Sequence, residues 1–213
     1  MSGIVLIDYG SGNLRSAENA LIRAAGQLAH APQVITTGDP ERVAAADHVV
    51  LPGVGAFGAC MDLLKAPDGL LEALETAVRE RGRPFLGICV GMQLMATRGL
   101  EFGGFSGLDW IAGEVRRLQA GDARLKVPHM GWNDLQQVAD HPVFAGLEGR
   151  DVYFTHSFAF DPEADSDVAA SVTYGERFAA AVARGNMAGV QFHPEKSQAS
   201  GLKLLTQFLE WRP

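Results

Sequence analysis

The 213-residue chain has only two cysteines, Cys60 and Cys89. A disulfide scaffold uses more of them in a shorter chain, so this count points to a reducing cytosol. No apolar run approaches the length needed to cross a bilayer, which argues against a membrane partner. The opening MSGIVLIDYG has no basic n-region, and Asp8 cuts its apolar stretch at Ile7. It reads as a first strand rather than a signal peptide. Positive charge is also scarce: 18 Lys and Arg face 25 Asp and Glu, a net charge of −7. The basic stripe that phosphate backbones demand is missing, which argues against nucleic acid as a partner. There is no phosphate cradle of the P-loop type. GSGNLRS (Gly10–Ser16) starts like a dinucleotide fingerprint, but Arg15 fills its third glycine position. No cofactor and no metal are expected. With no repeat and no linker rich in Gly, Ser or Pro, residues 1–213 are expected to form one domain.

What remains is an ordinary globular composition, 47% hydrophobic and 20% charged, able to bury a core. IVLID (Ile4–Asp8) is a short β-branched run of the kind covered on both faces. After the turn YGSGN, Asn13 is placed to cap a helix from about Leu14 to Ala25. QVITTGD and DHVVLPGVG read as strands, ACMDLLK and GLLEALETAVRERG as helices, PFLGI as a strand, and VGMQLMATR as the helix after it. Strand and helix thus alternate through the first hundred residues. The predicted class is α/β, with an open, mostly parallel central sheet and helices on both faces. After Gly104, WIAGEVRRL, KVPHMGWNDL, DVYFTHSFAF, DVAASVTYG, FAAAVARG and MAGVQFH are strand-like with few helices between them, so an antiparallel extension is expected. An amphipathic helix closes the chain from about Gln198 to Trp211.

The chemistry centres on RPFLGICVGMQLMA. Cys89 sits where a strand turns into a helix, with Gly87 and Gly91 two residues to either side. Glycine removes the side chains that would clash in so tight a corner, and the thiol stands at the tip above the carboxyl edge of the sheet. The helix N-terminus favours a thiolate there. The N–H of Val90 is one of the helix's unpaired donors and could bind an oxyanion. By itself the pattern fits a buried core cysteine equally well.

A nucleophile needs a base. Of the six histidines, His193 ends the strand AGVQF and opens HPEKS. Pro194 biases His193 toward extended backbone, where positions two apart face one side. Glu195 then projects beside it, ready to accept Nδ1–H and leave Nε2 for a nucleophile. That is a Cys-His-Glu triad. Taken alone, His193 beside Glu195 is also what a plain surface pair looks like.

FLGICVGMQLM together with GVQFHPEKS resembles the class I, triad-type glutamine amidotransferases. PHMGWN (Pro128–Asn133), IDYGSGNL (Ile7–Leu14) and LPGVGAF (Leu51–Phe57) narrow the resemblance to the glutaminase subunits of imidazole glycerol phosphate synthases, over essentially the whole chain. The resemblance implies hydrolysis of L-glutamine to glutamate and ammonia, with Cys89 as nucleophile, His193 as base and acid, and Glu195 as its orienter. It implies an oxyanion hole from Gly53, Val54 and Val90, in which the Gly53–Val54 peptide must turn its N–H inward. Gly55, Gln93 and the segment His156, Ser157, Phe158 are implied to meet glutamine, with Glu101 at its α-ammonium.

The resemblance also implies a partner, a (β/α)₈ cyclase subunit that receives the ammonia. Asn13, Trp132, Asn133 and Lys196 would lie at that interface. Asn13 would equally suit a helix cap, Trp132 a core, and Lys196 a solvated surface. Rival readings are the glutaminase of pyridoxal phosphate synthase, a silent regulatory module of the same fold, and an independent cysteine hydrolase.

Overall fold

A computed structural model describes residues 3–119, 121 and 125–213. In chain order the elements are β1 (Gly3–Ile7), α1 (Leu14–Ala25), β2 (Gln33–Thr37), α2 (Pro40–Ala44), β3 (His48–Leu51), α3 (Phe57–Lys65), α4 (Leu70–Glu75), β4 (Phe85–Ile88), α5 (Val90–Gln93), β5 (Ala96–Gly99), β6 (Phe105–Ser106), β7 (Ile111–Arg117), β8 (His129–Asp134), β9 (Asp151–His156), β10 (Phe158–Pro162), β11 (Val168–Tyr174), β12 (Glu176–Arg184), β13 (Met187–Val190) and α6 (Gln198–Glu210).

The main sheet has seven strands in the order β11-β12-β13-β4-β3-β1-β2. β2, β1, β3, β4 and β13 run parallel, and β12 and β11 continue the sheet antiparallel. Every residue of β1, β3, β4 and β13 is buried. Because successive side chains point to opposite faces, such strands are covered on both sides. Two smaller sheets, β10-β7-β5-β6 and β8-β9, make the expected addition, antiparallel at every pair except β5 with β7, which is parallel. The predicted α/β class with its mostly parallel sheet holds.

Local signals explain most helices. α1 buries Ala17, Leu21, Ala24 and Ala25, one stripe at helical spacing. Asn13 occupies the position before it but makes no side-chain capping bond, contrary to the expected cap. α2 was not anticipated. Asp39 accepts a hydrogen bond from the Glu41 N–H at 3.0 Å, and Pro40 takes the first helical position, a capped start in five residues.

Two expectations fail instructively. The helix read over VGMQLMATR is a single turn, α5, after which the chain becomes β5. Leu94, Met95 and Ala96 are buried all round, so their apolar spacing marks a buried corner rather than a helix face. Their carbonyls accept from Leu108, Asp109, Trp110 and Ile111 of a distant segment, which replaces further helical bonds. DVYFTHSFAF is two strands in different sheets, parted at Ser157, whose carbonyl is taken by the Leu118 N–H at 2.9 Å.

Parallel strands bring their carboxyl ends to one edge. From that edge leave the loop after β1, the Pro52–Gly55 segment, Cys89, and the stretch from Gln191 to His193. The corner at Cys89 is packed to contact. A Cβ at Gly87 would lie 2.6 Å from the Gly91 carbonyl oxygen, and one at Gly91 would overlap the carbonyl oxygen of Leu51. Gly91→Ala is therefore expected to cost about 1–3 kcal/mol as overpacking against backbone. Urea unfolding of this variant against Gly104→Ala, where a Cβ meets nothing within 4 Å, checks it.

Candidate active site

Cys89 adopts φ 55 and ψ −110, a backbone conformation that a non-glycine residue holds only when its surroundings force it. The forcing comes from the strand hydrogen bond of its N–H to Val190 O at 2.8 Å, and from the close glycine contacts on either side. The thiol opens onto a cavity of about 350 Å³. His193, Val54, Gly55, Val90, Gln93, Glu101, the segment His156, Ser157, Phe158, and also Asn13 and Lys196 share its wall.

His193 is 3% exposed. Its Nδ1 meets Glu195 Oε1 at 2.8 Å, with both side chains 4% exposed. Nε2 is buried without a hydrogen-bond partner. Burial pulls the imidazole down, but the nearby Cys89 thiol and the Glu195 carboxylate outweigh it and hold the ring up to about 9. The thiol and the ring share one cavity wall, while an Nε2–sulfur hydrogen bond is absent in this state. Catalytic hydrogen bonds without substrate are often this loose.

The Gly53–Val54 peptide has a defined direction. Gly53 O accepts from the Val90 N–H at 3.3 Å, so that donor is not free, contrary to expectation. The Val54 N–H donates to Ser11 Oγ at 3.1 Å, and the Ser11 hydroxyl donates back to Val54 O at 2.8 Å. Cys60 lies behind this strand, its Sγ 3.3 Å from Ser11 Oγ and 3.4 Å from Val54 O. Burial pushes the Cys60 thiol up, which keeps it protonated and poorly nucleophilic. Gly53 itself is buried, and a Cβ there would lie 2.8 Å from the Gly91 N and 2.9 Å from the Tyr9 hydroxyl. Tyr9 donates to Pro52 O at 2.8 Å.

Gln93 is buried at the cavity wall. Its Nε2 donates to Phe158 O and to Gln191 Oε1, each at 2.9 Å. Both amide protons are spent, so only its Oε1 remains to accept from a ligand. Glu101 Oε2 accepts from the Phe57 N–H at 3.0 Å, which fixes its carboxylate at the cavity rim. Lys196 is exposed at the mouth, 5.6 Å from the centre of the Tyr153 ring. Trp132 and Asn133 lie outside the cavity wall. Trp132 is 47% exposed and meets Tyr153 edge-on, and Asn133 donates to Thr173 O at 3.1 Å.

Sequence reasoning missed three features. Gln191 was signalled only as a polar residue two before His193 in an apolar strand. Ser11 gave no signal, because its partner Val54 is 43 positions away. His129 lies in a strand paired with His156, with Nδ1 of one 3.2 Å from Nε2 of the other. Phe154 and Tyr174 stack on the His129 ring at 4.8 and 4.0 Å. His156 Nδ1 also donates to Phe158 O at 2.9 Å. Burial lowers His129 to about 4 and His156 to about 3. Among the described residues no cluster of side chains could hold a metal ion.

A glycine-packed elbow whose cysteine shares a cavity with a His–carboxylate pair, at the carboxyl edge of a parallel sheet, is an arrangement able to carry cysteine-dependent acyl transfer. The family model described as glutamine amidotransferase class-I matches residues 5–211, so the chain belongs to the class-I glutamine amidotransferases. It is 56% identical to imidazole glycerol phosphate synthase subunit HisH of Caulobacter vibrioides, over 100% of each chain. It is 53% identical to the HisH subunit of Rhodospirillum rubrum, over 99% of each. Relatives at this identity put it in the HisH branch of the family. A crystal structure titled as a glutamine amidotransferase superimposes with a TM-score of 0.71 over 98% of both chains at 20% identity, a likeness of fold.

The two buried histidines carry a pH prediction. Their folded values lie below the ordinary 6.5, so in the window between, the unfolded chain binds the extra protons. Their stabilising contribution is complete above 6.5 and drains as pH falls toward 4. Urea unfolding between pH 7 and 4 should show stability falling with acid, with a shallower slope in His129→Gln.

Proposed function

We propose that this chain hydrolyses L-glutamine to glutamate and ammonia, and passes the ammonia to a (β/α)₈ cyclase subunit that makes imidazole glycerol phosphate and an aminoimidazole carboxamide ribotide in histidine biosynthesis. One observation carries the chemistry: His193 is clamped by Glu195 at 2.8 Å, with its other nitrogen unpartnered in the cavity wall that holds Cys89. Names of relatives above 50% identity over the full chain support the pathway.

The reaction follows from the groups present. His193 holds the proton of the Cys89 thiol as the sulfur attacks the carboxamide carbon, a C–S bond forms, and the carbonyl electrons move to oxygen. His193 gives its proton to the nitrogen as the C–N bond breaks, releasing ammonia and leaving a glutamyl thioester. Its raised proton affinity keeps the ring protonated at neutral pH, so the proton for the leaving nitrogen is in place. Water then loses a proton to His193 and adds to the thioester carbon. The C–S bond breaks and glutamate departs. Glu195 holds the ring in the tautomer that serves both steps.

Gln93 Oε1 and the Glu101 carboxylate are acceptors suited to the α-ammonium of glutamine, and the backbone of the segment from His156 to Phe158 borders the same end. The developing oxyanion needs N–H donors, and Val54 and Val90 are the ones in place. The Gly53–Val54 peptide must rotate, which releases the Val90 N–H from Gly53 O and turns the Val54 N–H from Ser11 toward the substrate. A missing donor of this kind costs about 10²–10³ in rate. The isolated chain is therefore a poor glutaminase in this reading, and docking of the cyclase with its ligand shifts the peptide. Asn13 and Lys196 at the cavity mouth, with Trp132 and Asn133 on the neighbouring surface, are the proposed contact residues.

We further infer one catalytic domain over residues 1–213, because buried apolar residues from Ile4 to Trp211 form one cluster. A cytosolic location is supported by two free thiols. Among the described residues no helix is long and apolar enough to cross a membrane.

In the complex, Cys89→Ala is expected to abolish glutamine-fed synthesis and to leave ammonium-fed synthesis intact. Loss of both would overturn the catalytic role. Ammonia release by the chain alone should be at least about 10²-fold slower than with barrel and ligand, given one withheld oxyanion donor. Within the complex, turnover should fall as pH rises through about 9, where His193 loses its proton. The same proton stabilises the fold fully below 6.5, and that contribution is lost over the same rise.

A further inference from the structure

We propose that Gln191 is a positioning residue for the sulfur: its side-chain amide donates a hydrogen bond to Cys89 and favours the sulfur while it carries negative charge. The inference rests on the reading of Cys89 as nucleophile. Gln191 follows β13 directly and is fully buried, at 0% exposure. It lies behind the cavity wall, against Gln93 and Cys89. Its Nε2 lies 3.6 Å from Cys89 Sγ, within reach of an N–H···S bond, and its Oε1 lies 2.9 Å from Gln93 Nε2.

The direction of each amide follows from the chain of partners. Phe158 O can only accept, so the group of Gln93 that meets it at 2.9 Å is the NH₂. The second proton of that NH₂ faces Gln191, which must present its oxygen. The remaining end of Gln191 is its NH₂, and it faces sulfur. The geometry therefore supplies a donor, never an acceptor, to Cys89 from this side.

A buried amide is costly unless its hydrogen bonds are made. Here both ends of the side chain are used on site residues, and the strand needs only the backbone N–H, which donates to Ala180 O at 2.9 Å. An apolar side chain would serve packing alone. A hydrogen bond to an ionised acceptor is stronger than one to a neutral acceptor. The amide thus stabilises the sulfur when it attacks, and again when it leaves the thioester. It does less for the neutral thioester between. Because the same amide is held by Gln93, which lines the cavity, the cavity wall and the Cys89 sulfur share one chain of hydrogen bonds.

Gln191→Met keeps the volume near that of glutamine and removes the donor. In the cyclase complex it should lower kcat for glutamine by about tenfold or more, the size expected for a hydrogen bond to a charged group. KM should move far less, and ammonium-fed synthesis should persist. Alkylation of Cys89 by iodoacetamide should slow, with its pH profile displaced to higher pH. A merely structural role would not displace that profile. An unchanged kcat and an unchanged alkylation profile would overturn the proposal.

A second measurement needs no variant. In the wild-type chain, the Gln191 side-chain amide resonances should shift when Cys89 is alkylated, and resonances that stay in place would also overturn it. Cys89→Ala in the same assay separates the two ideas. If that variant still turns over glutamine, the nucleophile reading fails. If it is dead while Gln191→Met is normal, only the role of Gln191 fails.

Discussion

The site depends on one close approach of backbone to backbone. Gly91, just past the elbow, lies against the Leu51 carbonyl at the end of β3, and Gly87 lies against Gly91. This contact leaves Cys89 at φ 55 and brings the end of β3 alongside the first turn of α5. The same contact puts Gly53 O within 3.3 Å of the Val90 N–H. The Cys89 elbow and the Pro52–Gly55 segment are therefore not two independent loops. They are the two sides of one packed corner, and no Cβ fits between them.

That corner explains why the resting arrangement is closed to an oxyanion. Both donors are satisfied elsewhere, Val90 by Gly53 and Val54 by Ser11. A satisfied hydrogen bond resists exchange until something supplies a better partner. In the proposed reaction that partner is the charged intermediate, with help from a docked subunit. In that proposal hydrogen-bond accounting at one peptide withholds activity, while Cys89, His193 and Glu195 beside it stay in place throughout.

Around the corner, burial sorts the histidines into different work. His193 has a carboxylate and a thiol as neighbours and holds its proton to about 9. His129 and His156 are buried among aromatic rings, each other and a carbonyl, with the charge of His193 also acting on His156, and they stay neutral. The residue type is the same, and the charge partner decides between proton carrier and structural hydrogen-bonding group.

Much of this was legible in the chain alone. Alternating apolar runs and helical stripes specify the parallel core, because period and burial are local properties of sequence. The elbow and the His-Pro-Glu unit are short motifs whose internal spacing already carries geometry: Glu195 reaches His193 because extended chain puts alternate residues on one side. Other features could not be read. The VGMQLMATR segment looks helical, yet partners from residues 108–111 end the helix after one turn. Asn13 looks like a cap and makes none. The direction of the Gly53–Val54 peptide, the Ser11 contact and the placement of Gln191 against Cys89 all join positions 37 to 102 residues apart. Sequence by itself determined which chemical groups are available and which strands carry them. Only the tertiary structure decided which donors are already taken, because a hydrogen bond belongs to a pair of groups, and folding chooses the pair.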